Sequence, residues 1–176
     1  MKILIFLQGT VIMHPGAAGK TRADIIQQVR DQEDSVRDFK NYIPIGRAPE
    51  KLRTWAEQGA EICYLSALSE NKKARGDEVV GREGLKADSI VLERYGFPAG
   101  IIYHRAAQES YQVVVEQMRP LPDILIEDDC ESIGGASEMT YPYIALELKE
   151  KIKSVVVREF IGIDHLPADH RDLYKT

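Results

Sequence analysis

Apolar residues run without interruption from Ile3 to Leu7, and the polar turn Gln8-Gly9-Thr10 follows directly. A continuous apolar run, unlike an alternating one, is typical of a strand that is buried on both faces in a parallel sheet covered by helices. We therefore predict that this strand is central in such a sheet. Because ligands of parallel sheets bind beyond the carboxyl ends of the strands, a functional site is expected at this turn.

The remaining pattern alternates between strand-like apolar runs and helical spacing. It predicts further strands and helices, the strands at residues 61–65, 100–104, 123–127 and 153–157, and the helices at 49–58, 88–95 and 108–119. Residues 143–152 are ambiguous, although their apolar spacing favours a helix. Strands that alternate with helices predict an α/β fold, a three-layer sandwich around a central parallel sheet with right-handed crossovers.

The length of 176 residues suits one core and is short for two, so residues 1–176 are predicted to form a single domain. Residues 11–45 are expected to form a small helical insert beside the site, with Thr21 capping a helix and Asp24 three residues later. The Asp- and His-containing residues 162–176 are interpreted as a polar, solvated tail in preference to a metal site.

Composition narrows the functional classes. The net charge of −5 makes nucleic-acid binding an unlikely role. Two cysteines make neither a disulfide framework nor a zinc site, and Cys63 is expected to be a small core residue. No apolar stretch approaches the length of a membrane span, and the apolar amino terminus is too short for a signal peptide. We therefore expect a cytoplasmic protein that does not enter membranes.

A phosphate-binding loop is one alternative, because residues 14–21 end in Gly-Lys-Thr and residues 125–129 are an acidic strand end. The pattern requires glycine at position 14, where this chain has His14, and the loop begins well past the first strand. A loop that contains Gly-Lys-Thr by chance is therefore favoured over a P-loop NTPase.

A second alternative is the nuclease pattern of Pro-Asp followed by Glu-x-Lys, supplied by Asp123, Glu147 and Lys149. That chemistry requires the Asp and the Glu on one metal ion. Asp123 opens its predicted strand and therefore points to the amino edge of the sheet, so this interpretation is disfavoured.

Four segments resemble, in order, motifs of the haloacid dehalogenase-like (HAD) superfamily. They are the first-motif run Ile5–Thr10, the second-motif strand Ile62–Ser66, the helix-to-strand passage Leu92–Gly100 that is similar to nucleotidase-like members, and the acidic fourth motif Ile124–Asp129. The resemblance covers roughly residues 2–160. It implies a sandwich of Rossmann-type topology without a large cap domain.

The first motif of this chain departs from the superfamily. There, its two Asp residues act as the nucleophile and the general acid/base, and the corresponding positions here are Phe6 and Gln8. Phenylalanine has no nucleophilic atom, and glutamine does not exchange a proton at useful pH. The third-motif lysine has no counterpart, and Arg105 is the candidate that replaces its charge.

The resemblance and the strand ends together predict an anion pocket, whose ligand-binding residues would be Gln8, Gly9, Thr10, Ser66 and Arg105. Each residue also has a purely structural interpretation, since Gly9 turns the chain, Ser66 can cap a helix and Arg105 can be a solvated charge.

The same strand-end argument predicts a metal site at Asp128 and Asp129, with helix capping as the structural alternative. Mg²⁺ should bind there weakly without ligand, because the first-motif carboxylate is missing. The leading interpretation is a degenerate HAD-like protein that binds a phosphorylated small molecule, or acts as an interaction module, without aspartyl-phosphatase activity. The alternative is a metal-dependent hydrolase that uses Asp128 and Asp129 with water as the nucleophile.

Overall fold

The computed structural model describes residues 1–69, 78–79, 84–106 and 109–176. The described strands are β1 Lys2–Phe6, β2 Ile12–Met13, β3 Ile43–Pro44, β4 Glu61–Ser69, β5 Glu78–Val79, β6 Ile102–Arg105, β7 Ile124–Asp128 and β8 Lys153–Val157. The described α-helices are α1 Arg22–Arg30, α2 Ala48–Glu57, α3 Lys86–Arg94, α4 Tyr111–Gln117 and α5 Leu146–Lys149. Short 3₁₀ helices lie at Pro15–Ala17, Asp34–Arg37, Phe39–Asn41, Gly135–Glu138, Tyr141–Tyr143 and His170–Lys175.

In the described residues the main sheet has six parallel strands, and β1 lies at its centre. The order is β5-β4-β1-β7-β8, and β6 also pairs with β4. Ile3 of β1 is opposite Ile62 on one side and Ile124 on the other. The predicted central position of β1 is therefore confirmed, and it agrees with the complete burial of Ile3, Leu4 and Ile5 on the two faces of the strand.

Successive side chains of β1 enter two separate cores. Ile3 and Ile5 belong to a cluster that includes Leu52 and Trp55 of α2. Leu4 belongs to the opposite cluster, with Val115 of α4. Helices therefore cover both faces of the sheet, which confirms the three-layer α/β sandwich, and the described residues form no large cap domain.

The insert, residues 11–45, crosses the carboxyl edge of the sheet. Its α1 begins with the predicted capping box, in which Thr21 and Asp24 exchange hydrogen bonds between side chain and backbone. The insert also contains an antiparallel pair that the sequence did not predict, in which Ile12 of β2 is opposite Pro44 of β3. This pair joins the beginning of the insert to its end, so both ends of the insert lie at the edge of the sheet.

The prediction of a solvated tail at residues 162–176 is wrong. Ile163 and Leu173 are completely buried, and the indole N–H of Trp55 donates to the carbonyl of Pro167 at 3.1 Å. The tail therefore completes the core beside α2. Its Asp164 carboxylate accepts the backbone N–H of Arg47 at 3.0 Å, which is a structural role.

Several element bounds also differ from the predicted ones. The second strand of the sheet does not end at Ser66, because β4 continues to Ser69 through an irregularity in its pairing with β6. In the ambiguous residues 143–152, the α-helical part is the four-residue α5, and Tyr143 ends a 3₁₀ helix. The predicted helix at 108–119 is α4 at Tyr111–Gln117, and residue 108 lies outside the described residues.

Both cysteines are free, and Cys63 is buried as expected. Among the described helices, none combines the length and the apolar composition needed to cross a membrane.

Candidate functional site

A cavity of about 160 Å³ lies at the carboxyl edge of the sheet, between the strand ends and the insert, and we call it the edge cavity. Phe6, Arg105 and Asp128 line it from β1, β6 and β7, whereas His14 and Phe39 line it from the insert. The site is therefore where the arrangement of parallel strands predicts it.

The predicted strand ends at Gln8, Ser66 and His104 do converge, but they surround the carboxylate of Asp88. Asp88 of α3 is 1% exposed, and it accepts hydrogen bonds from the Gln8 amide at 2.8 Å and from the Ser66 hydroxyl at 2.5 Å. His104 Nε2 lies 3.4 Å from the same carboxylate. Ser66 is therefore engaged with Asp88, is not among the residues that line the edge cavity, and is not a group for an external anion.

The turn after β1 holds a carboxylate and does not offer the N–H of Gly9 to an anion. That N–H donates to the carbonyl of Ile12 at 2.9 Å. The hydroxyl of Thr10 donates to Oδ2 of Asp128 at 2.7 Å. Gly9 has φ +84°, and a Cβ there would lie 2.8 Å from Asp128 Oδ2, so the turn needs glycine for both its conformation and its close approach.

Arg105 lines the edge cavity, as do Gln8 and Gly9 of the predicted anion-binding residues. It is 7% exposed, and its guanidinium carbon lies 3.7 Å from the ring centroid of Tyr111. The Tyr111 ring in turn packs edge-on against Phe6, with centroids 4.7 Å apart. The guanidinium thus lies over the ring of Tyr111 at the cavity wall, an environment that suits arginine better than lysine.

The two predicted metal-ligand residues are joined by a third carboxylate that sequence reasoning missed. Asp128, Asp129 and Glu159 each offer an oxygen, and these oxygens lie within 4.8 Å of one another. Glu159 follows the carboxyl end of β8. Asp128 was selected because ligands bind beyond the carboxyl ends of parallel strands, and the same argument applies to Glu159. Three carboxylate oxygens are ligands that a hard cation such as Mg²⁺ accepts, and we call these residues the carboxylate trio.

Protein donors already hold each member of the trio. Arg22 Nη2 contacts both oxygens of Asp129, at 3.0 and 3.1 Å. The Ser132 hydroxyl and backbone N–H donate to Glu159 at 2.6 and 2.7 Å. A cation would therefore join an organised set of carboxylates whose orientation is fixed in advance.

Burial raises the pKa values of Glu159 and Asp128. Burial, with the neighbouring Asp128 charge, raises the pKa of Glu159 to about 7. Burial also raises the pKa of Asp128, despite the hydrogen bond from Thr10. Acids that lie close together in a dry site favour either protons or a cation.

Another buried acid, Glu127, organises the loop that follows β7. It is 1% exposed and accepts the backbone N–H groups of Thr140 at 2.6 Å and Tyr141 at 2.9 Å. These bonds hold the chain between residues 129 and 141, which supplies Cys130 and Glu138 to the edge cavity.

The two alternative motifs lie elsewhere or have other partners. Residues 14–21 follow β2 of the insert and not a strand of the main sheet, and the Thr21 hydroxyl caps α1. Asp123 accepts the backbone N–H of Lys2 at 2.6 Å, at the opposite edge of the sheet from the cavity. These positions agree with the preference against a P-loop NTPase and a nuclease.

No protein-family model matches the chain, and no curated protein is significantly similar to it in sequence. Membership of the HAD superfamily therefore stays a prediction, and the edge cavity is the feature that bears on function.

Proposed function

We propose that this protein is a degenerate HAD-like protein that binds a phosphate-bearing small molecule in the edge cavity, with a divalent cation on the carboxylate trio. The observation that carries the proposal is the presence, at one sheet edge, of the buried guanidinium of Arg105 and of three carboxylates within 4.8 Å. A guanidinium binds phosphate oxygens, and Mg²⁺ is commonly shared between carboxylates and substrate phosphates.

The charges of the cavity wall make the cation part of the proposal. Among the residues that the structure describes, one arginine lines the cavity, against the four acids Glu127, Asp128, Glu138 and Glu159. A bare phosphate would meet net repulsion there, because Coulomb interactions are strong at buried sites. A divalent cation on the trio lowers the local negative charge and offers the phosphate oxygens a direct cationic partner, so phosphate binding should require it.

The same wall argues against aspartyl-phosphate chemistry. Phe6 stands where the resemblance places the nucleophile, and it is packed against Tyr111. Gln8, at the position of the general acid/base, is bound to Asp88 and to the backbone N–H of Ala67. We expect no acid-stable phosphoryl adduct, since neither side chain can attack phosphorus or transfer a proton.

Calorimetric titration with inorganic phosphate, with and without magnesium, tests the proposal. A charge-assisted hydrogen bond is typically worth roughly 1.5–3 kcal/mol, so Arg105→Gln should weaken phosphate binding by about tenfold or more. Arg53→Gln changes a half-buried arginine on α2 that does not line the cavity, so this matched control should bind like the wild type. Equal binding by Arg105→Gln and the wild type, or binding that is independent of magnesium, would contradict the proposal.

The second candidate is a metal-dependent hydrolase in which a cation on Asp128 and Asp129 activates water. The observation that favours it is Glu159, since a third carboxylate is more than phosphate binding alone requires. Magnesium-dependent turnover of 4-nitrophenyl phosphate that is lost in Asp128→Asn would select this candidate. If the wild type shows no more turnover than Asp128→Asn, the result favours the binding function.

A further inference from the structure

An arginine attaches the first helix of the insert, α1, to the body of the protein. Arg22 is the first residue of α1, its side chain is 12% exposed, and its Nε donates to the carbonyl of Glu159 at 2.8 Å. Its Nη2 contacts both oxygens of Asp129, and its Nη1 lies 2.5 Å from Oε2 of Glu131. One side chain of the insert thus binds the segments that follow β7 and β8, and we call these contacts the latch.

The latch and the carboxylate trio share Asp129. Because Nη2 of Arg22 contacts both of its oxygens, a cation on either oxygen would share that oxygen with the guanidinium. Two positive charges on one carboxylate repel each other, and little water screens a guanidinium that is largely buried. Glu131 would remain as a partner of Arg22, but its side chain is 49% exposed, and exposed ion pairs contribute little to stability.

The orientation of the trio does not depend on Arg22 alone. The backbone N–H of Glu159 also donates to Oδ1 of Asp129, at 3.1 Å. Ser132 holds the carboxylate of Glu159 with its hydroxyl and its backbone N–H. What the guanidinium adds to these hydrogen bonds is positive charge, so its removal should favour a cation more than it disorders the ligands.

Apart from the latch, α1 is less firmly attached than the other end of the insert. Ile25 and Ile26 of α1 are buried, but within the described part of the chain neither belongs to the two core clusters. Tyr42, by contrast, is a member of the core cluster beside α2, and Arg94 of α3 donates to the carbonyl of Lys40 at 3.0 Å. The insert is therefore built to open at α1 while it stays attached near residue 42.

Opening at α1 would give access to the edge cavity. Val29 of α1 and Val36, which follows that helix, line the cavity from the insert. Asp128 and Glu159 of the trio line it from the sheet. The latch joins these two walls, so its release would admit a ligand beside the trio.

We propose that a divalent cation displaces Arg22 from Asp129, so that α1 detaches from the segments after β7 and β8 and the edge cavity opens to its ligand. The inference rests on the proposed function for the cation and the ligand, and it adds an order in which the cation binds first. Linkage makes the effect reciprocal, since a latch that the cation weakens must in turn weaken the binding of the cation.

Calorimetric titration with magnesium chloride tests the competition. Arg22→Gln should bind magnesium about fivefold tighter than the wild type, or more, because the competing charge is gone. Arg22→Lys keeps the charge and should stay closer to the wild type than to Arg22→Gln. Arg30→Gln is the matched control, because Arg30 lies on the same helix and carries the same charge but donates to the backbone carbonyl of Glu131.

The sign of the effect decides between competition and a structural role. An arginine that only orients Asp129 predicts weaker magnesium binding by Arg22→Gln. An affinity of Arg22→Gln that equals or falls below that of the wild type would therefore overturn the inference. An equal gain in Arg30→Gln would also overturn it, because the effect would then come from net charge.

Hydrogen exchange on the wild type measures the release of α1 and needs no variant that has to fold. The amides of residues 22–30 should exchange severalfold faster at saturating magnesium, whereas those of residues 48–57 in α2 should not change. Unchanged or slower exchange of α1 in the magnesium-saturated wild type would overturn the inference.

Inorganic phosphate separates this inference from the proposed function. Tighter magnesium binding by Arg22→Gln, with faster exchange of α1 in the magnesium-bound wild type, would support the latch even if no phosphate bound. Magnesium-dependent phosphate binding, with the same magnesium affinity in the wild type and Arg22→Gln, would overturn the latch and leave the proposed function intact. Absence of magnesium binding to both proteins would overturn both.

Discussion

Glu127→Gln tests whether a buried carboxylate organises the loop that borders the edge cavity. The substitution keeps the shape of the side chain and replaces one acceptor oxygen with an NH₂ group. In the wild type the two oxygens accept the backbone N–H groups of Thr140 and Tyr141. In the variant one of these N–H groups faces another donor, so it is left buried without an acceptor.

The expected loss of stability follows from opposing effects. A hydrogen bond to a charged group contributes roughly 1.5–3 kcal/mol, and a buried N–H without a partner costs about 1–3 kcal/mol. Burial penalises the ionised carboxylate, which is why the pKa of Glu127 is raised, and the neutral glutamine escapes this penalty. We expect a net loss of about 2 kcal/mol in the free energy of unfolding.

Urea unfolding followed by the fluorescence of Trp55 measures this loss. With a slope of about 2 kcal/mol per molar urea, the midpoint should fall by roughly 1 M. Glu147→Gln is the matched control, because Glu147 is exposed on α5 and its substitution should leave the midpoint unchanged. A Glu127→Gln midpoint equal to or above that of the wild type would refute the argument and show that the desolvation penalty exceeds the hydrogen bonds.

Three further predictions concern the site and the tail. The pKa of His14 is lowered from its ordinary value of 6.5, so the unfolded chain takes up the proton first as the pH falls. The wild type should therefore lose more stability than His14→Gln between about pH 7.5 and about pH 5.5, and equal losses in urea titrations would contradict this. Leu173→Ala should cost about 2–5 kcal/mol, because Leu173 is fully buried, and a change near zero in thermal unfolding would restore the solvated tail. Gly9→Ala should cost at least about 1 kcal/mol and weaken magnesium binding, because the new methyl group meets Asp128 at a positive φ, and unaltered calorimetric titration with magnesium would argue against this contact.

The sequence was sufficient for the parts of the fold that depend on neighbouring residues or on one continuous pattern. The unbroken apolar run of β1 identified the central strand, and Thr21 with Asp24 identified the start of α1. The placement of the site at the sheet edge followed from parallel strands alone.

The partners of the polar groups could not be predicted, because they are distant in sequence. Asp88 was visible as an acid beside the buried positions Ala87, Val91 and Leu92, but nothing local indicated that Gln8 would bind it. A polar group that ends a strand binds whichever donor or acceptor the tertiary fold brings to it. Here that partner was often another group of the protein itself.

The tail was misjudged for a different reason. Its buried apolar residues are isolated between polar ones and lie in turns and a 3₁₀ helix, where no fixed period marks the inner face. An isolated apolar residue such as Leu173 can be recognised as a core residue only when the surface of α2 that it covers is known.

The central position of β1 has a consequence for the synthesis of the protein. β1 leaves the ribosome before the other described strands of its sheet, and its two partners begin to pair with it only at residues 61 and 124. Until residues beyond 124 have emerged, an apolar, β-prone segment remains without its second neighbour, and such segments associate readily with other nascent chains. We expect the soluble yield to depend on the rate of translation and on chaperones that shield β1, more than on the stability of the finished fold.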